Sequence, residues 1–296
     1  MDAGAKTNDG NLVRRVGFAV VAIPLALAIT WNGGWLLALL LAGAGALGCA
    51  ELFGLAERGS TRPARRRGIA TAAAVPLITW IALSQPAFGT VVAQTGHYAV
   101  ALWLIGLLGW GLHARSPAGR PLESVSVTLL GVLYTGGLPA FALVIRHADL
   151  PVRNWAGAWL VFFPLVVTWV CDTAAMFGGR TFRGPKLAPT VSPGKTRSGT
   201  IVGILGALAV APLFSEWIFP RVGITMPLWQ AMAVAGVLSV VGQVGDLAES
   251  LFKREAGVKD SSRLIPGHGG VLDRLDSLYF VVPVTAAMYR YFGVIQ

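Results

Sequence analysis

The chain has 296 residues, of which 54% are hydrophobic and only 13% charged, with a formal net charge of +10. So apolar a composition excludes an ordinary soluble domain. A bilayer core of about 30 Å needs about 20 helical residues per crossing, and runs of that length recur along the chain. Residues 1–12 are polar and are expected to form a disordered cytoplasmic tail. Nine apolar runs follow, at 14–31, 33–53, 68–84, 97–113, 122–145, 157–178, 200–219, 228–249 and 278–295. Together they predict an all-α polytopic membrane protein and leave no room for a separate soluble domain. The first run, with Arg14-Arg15 before it and Ala26-Leu27-Ala28 within it, has the outline of a cleaved signal. A second run follows almost at once, so the first is read as a retained span.

The position of the positive charge sets the orientation. Arg14 and Arg15 precede the first span, and Arg58, Arg62, Arg65, Arg66 and Arg67 follow the second. His113, Arg115 and Arg120 follow the fourth, Arg180, Arg183, Lys186, Lys195 and Arg197 the sixth, and Lys253, Arg254, Lys259, Arg263 and Arg274 the eighth. Every second loop is therefore basic, which places those loops and the N-terminus in the cytoplasm and the C-terminus outside. Arg146 and Arg153 are exceptions. In a soluble protein the basic surplus would suggest nucleic acid; distributed in this way it reports topology, and no nucleic-acid partner is expected.

Spans one to five, within residues 13–146, carry few polar groups and read as scaffold. Small residues such as those of Ala42-Gly43-Ala44-Gly45-Ala46 allow close helix approach. Gly136-Gly137-Leu138-Pro139 predicts a kink in the fifth span. Cys49 and Cys171 fall inside spans and read as small core residues, since two cysteines without a local histidine make no zinc site. Residues 147–296 hold the polar segments, in loops 179–199 and 250–277. Pro193-Gly194-Lys195-Thr196 is not a P-loop: the glycine required five residues before Gly194 is replaced by Pro189, and no strand precedes it.

The stretch from Ser250 to Asp276, SLFKREAGVKDSSRLIPGHGGVLDRLD, is out of keeping with its apolar surroundings. Acids suited to a divalent metal, bases suited to phosphate and a glycine turn for close approach are the parts of phosphoryl or nucleotidyl transfer. Asp172 and Asp246 fall near the cytoplasmic ends of spans six and eight, and Asp273 and Asp276 open span nine. An ionised side chain in a span is costly and normally faces a cavity or a partner, so a helix-end salt bridge is the plain alternative to a metal site. Asp273 and Asp276 share a helix face, and capping alone would explain one of them. Asp246, Glu249, Ser250 and Lys253 share another face. His268-Gly269-Gly270 reads as a tight turn whose backbone N–H groups reach phosphate.

This stretch resembles the signature of the phosphatidate cytidylyltransferase family, also called CDP-diacylglycerol synthases. That pattern runs S-x-apolar-K-R-x4-K-D-x-small-x2-apolar-small-x-H-G-G-apolar-x-D-R-apolar-D, and residues 250–276 fill it without a gap. A second block agrees, from Asp172-Thr173-Ala174-Ala175 through Gly178, Gly179 and Arg180 to Lys186-Leu187-Ala188-Pro189 and Ser192-Pro193-Gly194-Lys195-Thr196. Gly245-Asp246-Leu247-Ala248-Glu249-Ser250 leads into the signature. One position departs: Ser198-Gly199 stands where the family commonly has an acidic or amide residue before the glycine, so Ser198 is given no catalytic role.

The resemblance implies an integral membrane enzyme, in the inner membrane of a bacterium with its active site facing the cytoplasm, that joins CTP and phosphatidate to give CDP-diacylglycerol and pyrophosphate. Asp246, Lys253, His268, Asp273 and Arg274 are the expected catalytic residues, with His268 a binding group more than a base. Ser192, Lys195, Thr196, Ser250, Arg254, Lys259, Gly269 and Gly270 are expected to bind substrate. Asp172, Asp246, Asp273 and Asp276 are expected to hold one or two Mg²⁺ ions. Membrane lipids surround the chain, and a homodimer is carried over from the family. Two other readings remain open: a related CTP-using enzyme with an isoprenyl glycerophosphate or polyprenol acceptor, and an anion transporter whose gate is the charged loops. A transporter would place acids and bases near mid-membrane, whereas here they cluster at helix ends. The phosphatidyltransferases that consume CDP-diacylglycerol carry a D-G-x2-A-R block, which this chain lacks.

Overall fold

The computed structural model describes residues 3–148, 155–265, 267 and 269–295. The chain is almost entirely helical. Helices α1 (Ala3–Asn32), α2 (Gly34–Arg58), α3 (Arg65–Ser84) and α4 (Pro86–Ala114) are followed by α5 (Pro121–Gly131) and α6 (Leu138–Arg146), which a π-helical turn joins. Then come α7 (Ala156–Phe182), strands β1 (Lys186–Ala188) and β2 (Ser192–Thr196), α8 (Arg197–Pro212), a second π-helical turn, α9 (Phe219–Arg221), α10 (Leu228–Glu255) and α11 (Leu272–Tyr291). Among the described residues seven helical stretches are long and apolar enough to cross a membrane: Gly34–Arg58, Arg65–Ser84, Pro86–Ala114, Pro117–Arg146, Ala156–Phe182, Arg197–Arg221 and Leu228–Glu255. Ala19–Asn32 is a shorter apolar stretch. Helix α1 starts at Ala3 and takes in most of the stretch expected to be a disordered tail.

The chain divides into two compact units, residues 1–143 with 255–274, and residues 144–254 with 275–296. The first boundary falls near 143, close to the end of α6. The polar loop after α10, expected to belong with the C-terminal region, instead groups with the N-terminal helices.

In the first unit α2 packs on α3 and on the turn between α5 and α6 through missing side chains. A Cβ on Gly68 would stand 2.5 Å from the Phe53 ring, one on Gly131 also 2.5 Å from it, and one on Gly136 2.5 Å from the Ala72 carbonyl. Buried Thr135 fixes the contact by donating to the carbonyls of Gly45 (3.0 Å) and Gly131 (2.8 Å). The kink expected at Gly136-Gly137-Leu138-Pro139 takes the form of the π-turn: Leu138 N–H donates to the Leu133 carbonyl, and Pro139 has no N–H with which to continue the α-helical ladder. Cys49 and Cys171, each within its own unit, are buried free thiols, as read from the sequence. Arg146 is buried at the end of α6, and Arg153 lies outside the described residues.

In the second unit α7 and α8 meet along Gly178, Gly199, Gly203 and Gly206; a Cβ on Gly199 would approach the Ala175 carbonyl to 2.7 Å. Such small-residue seams are how helices associate where water supplies no driving force. Phe163, Phe214 and Phe219 form an aromatic cluster with centroids 4.9–5.7 Å apart. Gly245 brings α10 against the start of α11, since a Cβ there would stand 2.8 Å from the Asp276 carbonyl. The buried Tyr289 hydroxyl donates to the Leu160 carbonyl at 3.0 Å, tying α11 to α7.

Candidate active site

Two polar clusters are built, one in each unit. In the second unit the antiparallel hairpin β1–β2, with Lys186 opposite Thr196 and Ala188 opposite Ser192, leads straight into α8. Thr196 is the N-cap: its hydroxyl accepts from Gly199 N–H at 3.1 Å, satisfying one of the amides a helix start leaves without an intrahelical acceptor. The Ser198 hydroxyl donates to the Arg183 carbonyl, a loop-fixing bond. Lys195, in β2 next to Thr196, reaches α10 and pairs with Asp246, Nζ to Oδ2, at 2.6 Å. The other oxygen of Asp246 accepts from Ser250, one turn on, at 3.4 Å.

Asp246 is half-buried and does not stand alone. Asp172 near the end of α7 and Asp276 near the start of α11 lie close enough that each feels its charge, and they also repel one another. Lys195 attracts Asp172, and Lys253 attracts Asp276. Yet Lys253 is itself held by the fully buried Glu249, Nζ to Oε2, at 2.7 Å. Three carboxylates from three helices thus face one directly bonded lysine, and a second lysine shared with another acid. Such a surplus of negative charge suits a divalent cation. No three His, Cys, Asp or Glu side chains among the described residues converge into a ready-made metal cage. Magnesium does not require one, because it commonly binds through one or two carboxylates together with water and substrate phosphate. The donors present therefore fit the ion. Arg254 donates to the Val191 carbonyl at 3.1 Å, tying the end of α10 to the turn of the hairpin, and Ser192 is half-buried opposite Ala188.

In the first unit the loop 255–274 closes on two carboxylates. Asp273 is buried, and its Oδ2 accepts from Ser261 N–H (2.9 Å), Ser261 Oγ (2.8 Å) and Gly270 N–H (2.7 Å). Glu51, buried near the end of α2, accepts at Oε1 from Ser262 Oγ (2.7 Å) and Val271 N–H (3.1 Å), and at Oε2 from Leu272 N–H (2.8 Å) and Ser261 Oγ (3.1 Å). The N-terminus of α11 is therefore capped by protein carboxylates. Gly270 has another use than the one expected: its N–H serves Asp273, and a Cβ there would stand 2.2 Å from Ser261 Oγ and 2.3 Å from Glu51 Oε2. Gly269 has φ +83°, a left-handed conformation that favours glycine, in the turn closed by the Ile265 N–H to Gly269 carbonyl bond. Lys259 and Arg274 are exposed, and His268 lies outside the described residues.

The structure thus brings together Asp172, Lys195, Asp246, Ser250, Lys253 and Asp276, and separately Asp273 with Gly269 and Gly270. Two acids were not assigned roles from the sequence. Glu249 stood only as a face-mate of Asp246, and Glu51 was passed over, although a carboxylate between Ala50 and Leu52 in an apolar run is a signal in its own right.

Comparison with known proteins places the whole chain. The model of the cytidylyltransferase family matches residues 13–292. A phosphatidate cytidylyltransferase of Brucella suis is 36% identical over 289 residues, covering 96% of this chain and 94% of that protein. One from Synechocystis sp. is 34% identical over 298 residues, covering 92% and 94%. One from Staphylococcus epidermidis is 46% identical over 124 residues, 42% of this chain and 46% of that protein. Matched along nearly its whole length, the chain belongs to the cytidylyltransferase family.

Proposed function

We propose that this integral membrane protein transfers a cytidylyl group from CTP to phosphatidate, giving CDP-diacylglycerol and pyrophosphate. What carries the reading is the Asp246–Lys195 pair flanked by Asp172 and Asp276, in a chain alike from end to end to phosphatidate cytidylyltransferases. A phosphatidate phosphate oxygen attacks the α-phosphorus of CTP, the bond to the bridging oxygen breaks, and pyrophosphate leaves. Phosphate is already ionised at neutral pH, so no general base is required. Bound through Asp246, Asp172 and Asp276, Mg²⁺ would offset the charge that builds on the phosphoryl oxygens. Lys195 holds Asp246 in place and presents its ammonium to a triphosphate; Lys253 is kept in position by Glu249. Within the first unit, Lys259 and Arg274 are exposed cations suited to phosphate, on a frame set by Asp273.

Nine crossings complete the picture, with α1 and α11 added to the seven long apolar stretches. The N-terminus and the polar loops lie in the cytoplasm of a bacterial inner membrane, where CTP is available, and the family's dimeric state extends to this chain.

The test is pyrophosphate and lipid-product release by detergent-purified protein with Mg²⁺, phosphatidate and each of CTP, ATP, GTP and UTP. CTP-specific release that requires phosphatidate and stops with EDTA is expected. Release without a phosphatidate requirement would reassign the acceptor to another lipid phosphate. No turnover of any nucleotide by folded protein would overturn the reading and favour anion transport.

A further inference from the structure

We propose that Glu51 is a positioning residue for nucleotide binding: from α2 it holds Ser261, Ser262 and the turn Gly270–Leu272 in the arrangement that receives phosphate. The proposal rests on the reading of the protein as a CTP-using transferase. The geometry belongs to one unit and one carboxylate. Glu51 is 8% exposed, and its two oxygens accept four hydrogen bonds, two from serine hydroxyls and two from the first amides of α11. Every one of those donors lies in the polar loop, some 210–221 residues away in sequence. Through Ser261 Oγ, which contacts both acids, Glu51 is linked to Asp273. The bare α-carbon of Gly270 lets both Glu51 and Ser261 approach the turn. A scaffold helix thus fixes the backbone on which Lys259, Gly269, Gly270 and Arg274 are carried.

A buried acid in a largely apolar helix is costly unless its bonds repay the loss of water. Asp273 accepts from Ser261 and Gly270, before the helix, and the amides of Val271 and Leu272 fall to Glu51. An acid from a distant helix thereby does more than cap: through Ser261 and Ser262 it also fixes the other side of the loop. The two oxygens cannot be replaced by an amide. Val271 N–H binds Oε1 and Leu272 N–H binds Oε2, so whichever way a glutamine side chain turned, its NH₂ would face a backbone N–H that cannot reverse.

The experiment compares wild-type protein with Glu51→Gln, Glu51→Asp and, as a control for removing an acid from the same helix, Glu57→Gln, whose exposed pair with Arg65 lies in no proposed site. Thermal melting, amide hydrogen exchange of peptides covering 261–272, and KM for CTP and for phosphatidate are measured in detergent. In Glu51→Gln, exchange at Val271 and Leu272 rises and KM for CTP rises at least tenfold. With KM for phosphatidate held within twofold and Glu57→Gln like wild type, this supports positioning. A folded Glu51→Gln protein with wild-type KM for CTP overturns it, and so does equal loss for both substrates, which marks a merely structural role. Should Glu51→Gln fail to fold, Glu51→Asp decides: it keeps the charge but retracts the carboxylate by one methylene, and a wild-type KM for CTP in it overturns the proposal. If wild-type protein turns over no CTP, the functional reading fails by itself. The anchoring then stands or falls on the exchange of 261–272.

Discussion

Replacing Gly270 by alanine separates two jobs a glycine can do in a phosphate-handling turn. If the glycine is there so that substrate phosphate can approach the backbone, Gly270→Ala harms binding and leaves the resting protein intact. The structure assigns the space to protein groups. A Cβ would meet Ser261 Oγ at 2.2 Å and Glu51 Oε2 at 2.3 Å, whereas a close carbon–oxygen contact is about 3.3 Å or more. An overlap of about 1 Å with two groups at once cannot be relieved by turning one side chain, because the Glu51 carboxylate is held from four sides. Either Glu51 withdraws or the turn moves outward. A hydrogen bond to a charged group is worth about 1.5–3 kcal/mol, so losing the two backbone donors, Val271 and Leu272, costs roughly 3–6 kcal/mol. Backbone strain adds nothing, since Gly270 is not among the glycines at positive φ. Against a typical domain stability of about 5–15 kcal/mol, the loop should open locally without unfolding the helices. The variant is expected to release pyrophosphate at least about 10²-fold more slowly, the order that a 1 Å misplacement commonly costs. Its peptides over 261–272 should also exchange faster before any substrate is added. Gly106→Ala, with nothing within 4 Å of the added carbon, is the matched control. Wild-type exchange in Gly270→Ala would refute the reasoning, because the clasp of Glu51 on the turn would then not exist.

Asp273→Asn should leave the protein folded and keep most of its turnover, since an amide oxygen can take over the three bonds at Oδ2; abolished turnover in that folded variant would return Asp273 to the metal-holding set. Lys195→Met frees Asp246 of a cation at 2.6 Å, so the Mg²⁺ concentration for half-maximal activity should fall severalfold even as kcat drops about 10²-fold. An unchanged magnesium requirement in that variant would show that Asp246 is not a ligand. Glu249→Ala takes from the buried Lys253 its 2.7 Å ion pair and should destabilise the protein by about 3–5 kcal/mol, visible as a lower melting temperature. EDTA should stop pyrophosphate release and Mg²⁺ restore it; turnover that survives EDTA would rule out the metal role given to Asp172, Asp246 and Asp276.

The helices were legible because an apolar run of membrane length carries its meaning locally: the run 200–219 became Arg197–Arg221, and 228–249 became Leu228–Glu255. The clustered acids of the second unit were legible for a different reason, as polar residues in places where the bilayer makes them expensive. What could not be read was short or long in range. The hairpin strands, three and five residues long, are too brief for an alternating pattern to emerge from a Gly- and Pro-rich loop. The π-turn in the fifth span is a choice of hydrogen-bond ladder that a Gly-Gly-Leu-Pro sequence announces only as a break. The bond from Glu51 to Leu272 crosses 221 positions, and no local pattern in either segment names the other. The membership of the polar loop followed the same logic. Its place with the N-terminal helices depends on a carboxylate in α2, whereas adjacency in sequence had assigned it to α10 and α11.

The acids of this chain divide by what their oxygens already hold. Asp273 has one oxygen accepting three donors of its own loop, which fixes that carboxylate on the turn, and Glu51 has both oxygens engaged, so Glu51 takes on no new cation without giving up bonds that shape the turn. Asp246 has a single lysine at 2.6 Å and a long 3.4 Å bond from Ser250, and Asp172 and Asp276 stand beside it as like charges. Like charges held together by the fold raise the free energy of the empty site, and a divalent ion arriving with a triphosphate relieves that repulsion. Asp172, Asp246, Asp273 and Asp276 were together expected to hold Mg²⁺. Their hydrogen bonds instead argue for a division of labour, with Asp172, Asp246 and Asp276 waiting for charge to neutralise and Asp273, with Glu51 behind it, keeping the loop in shape.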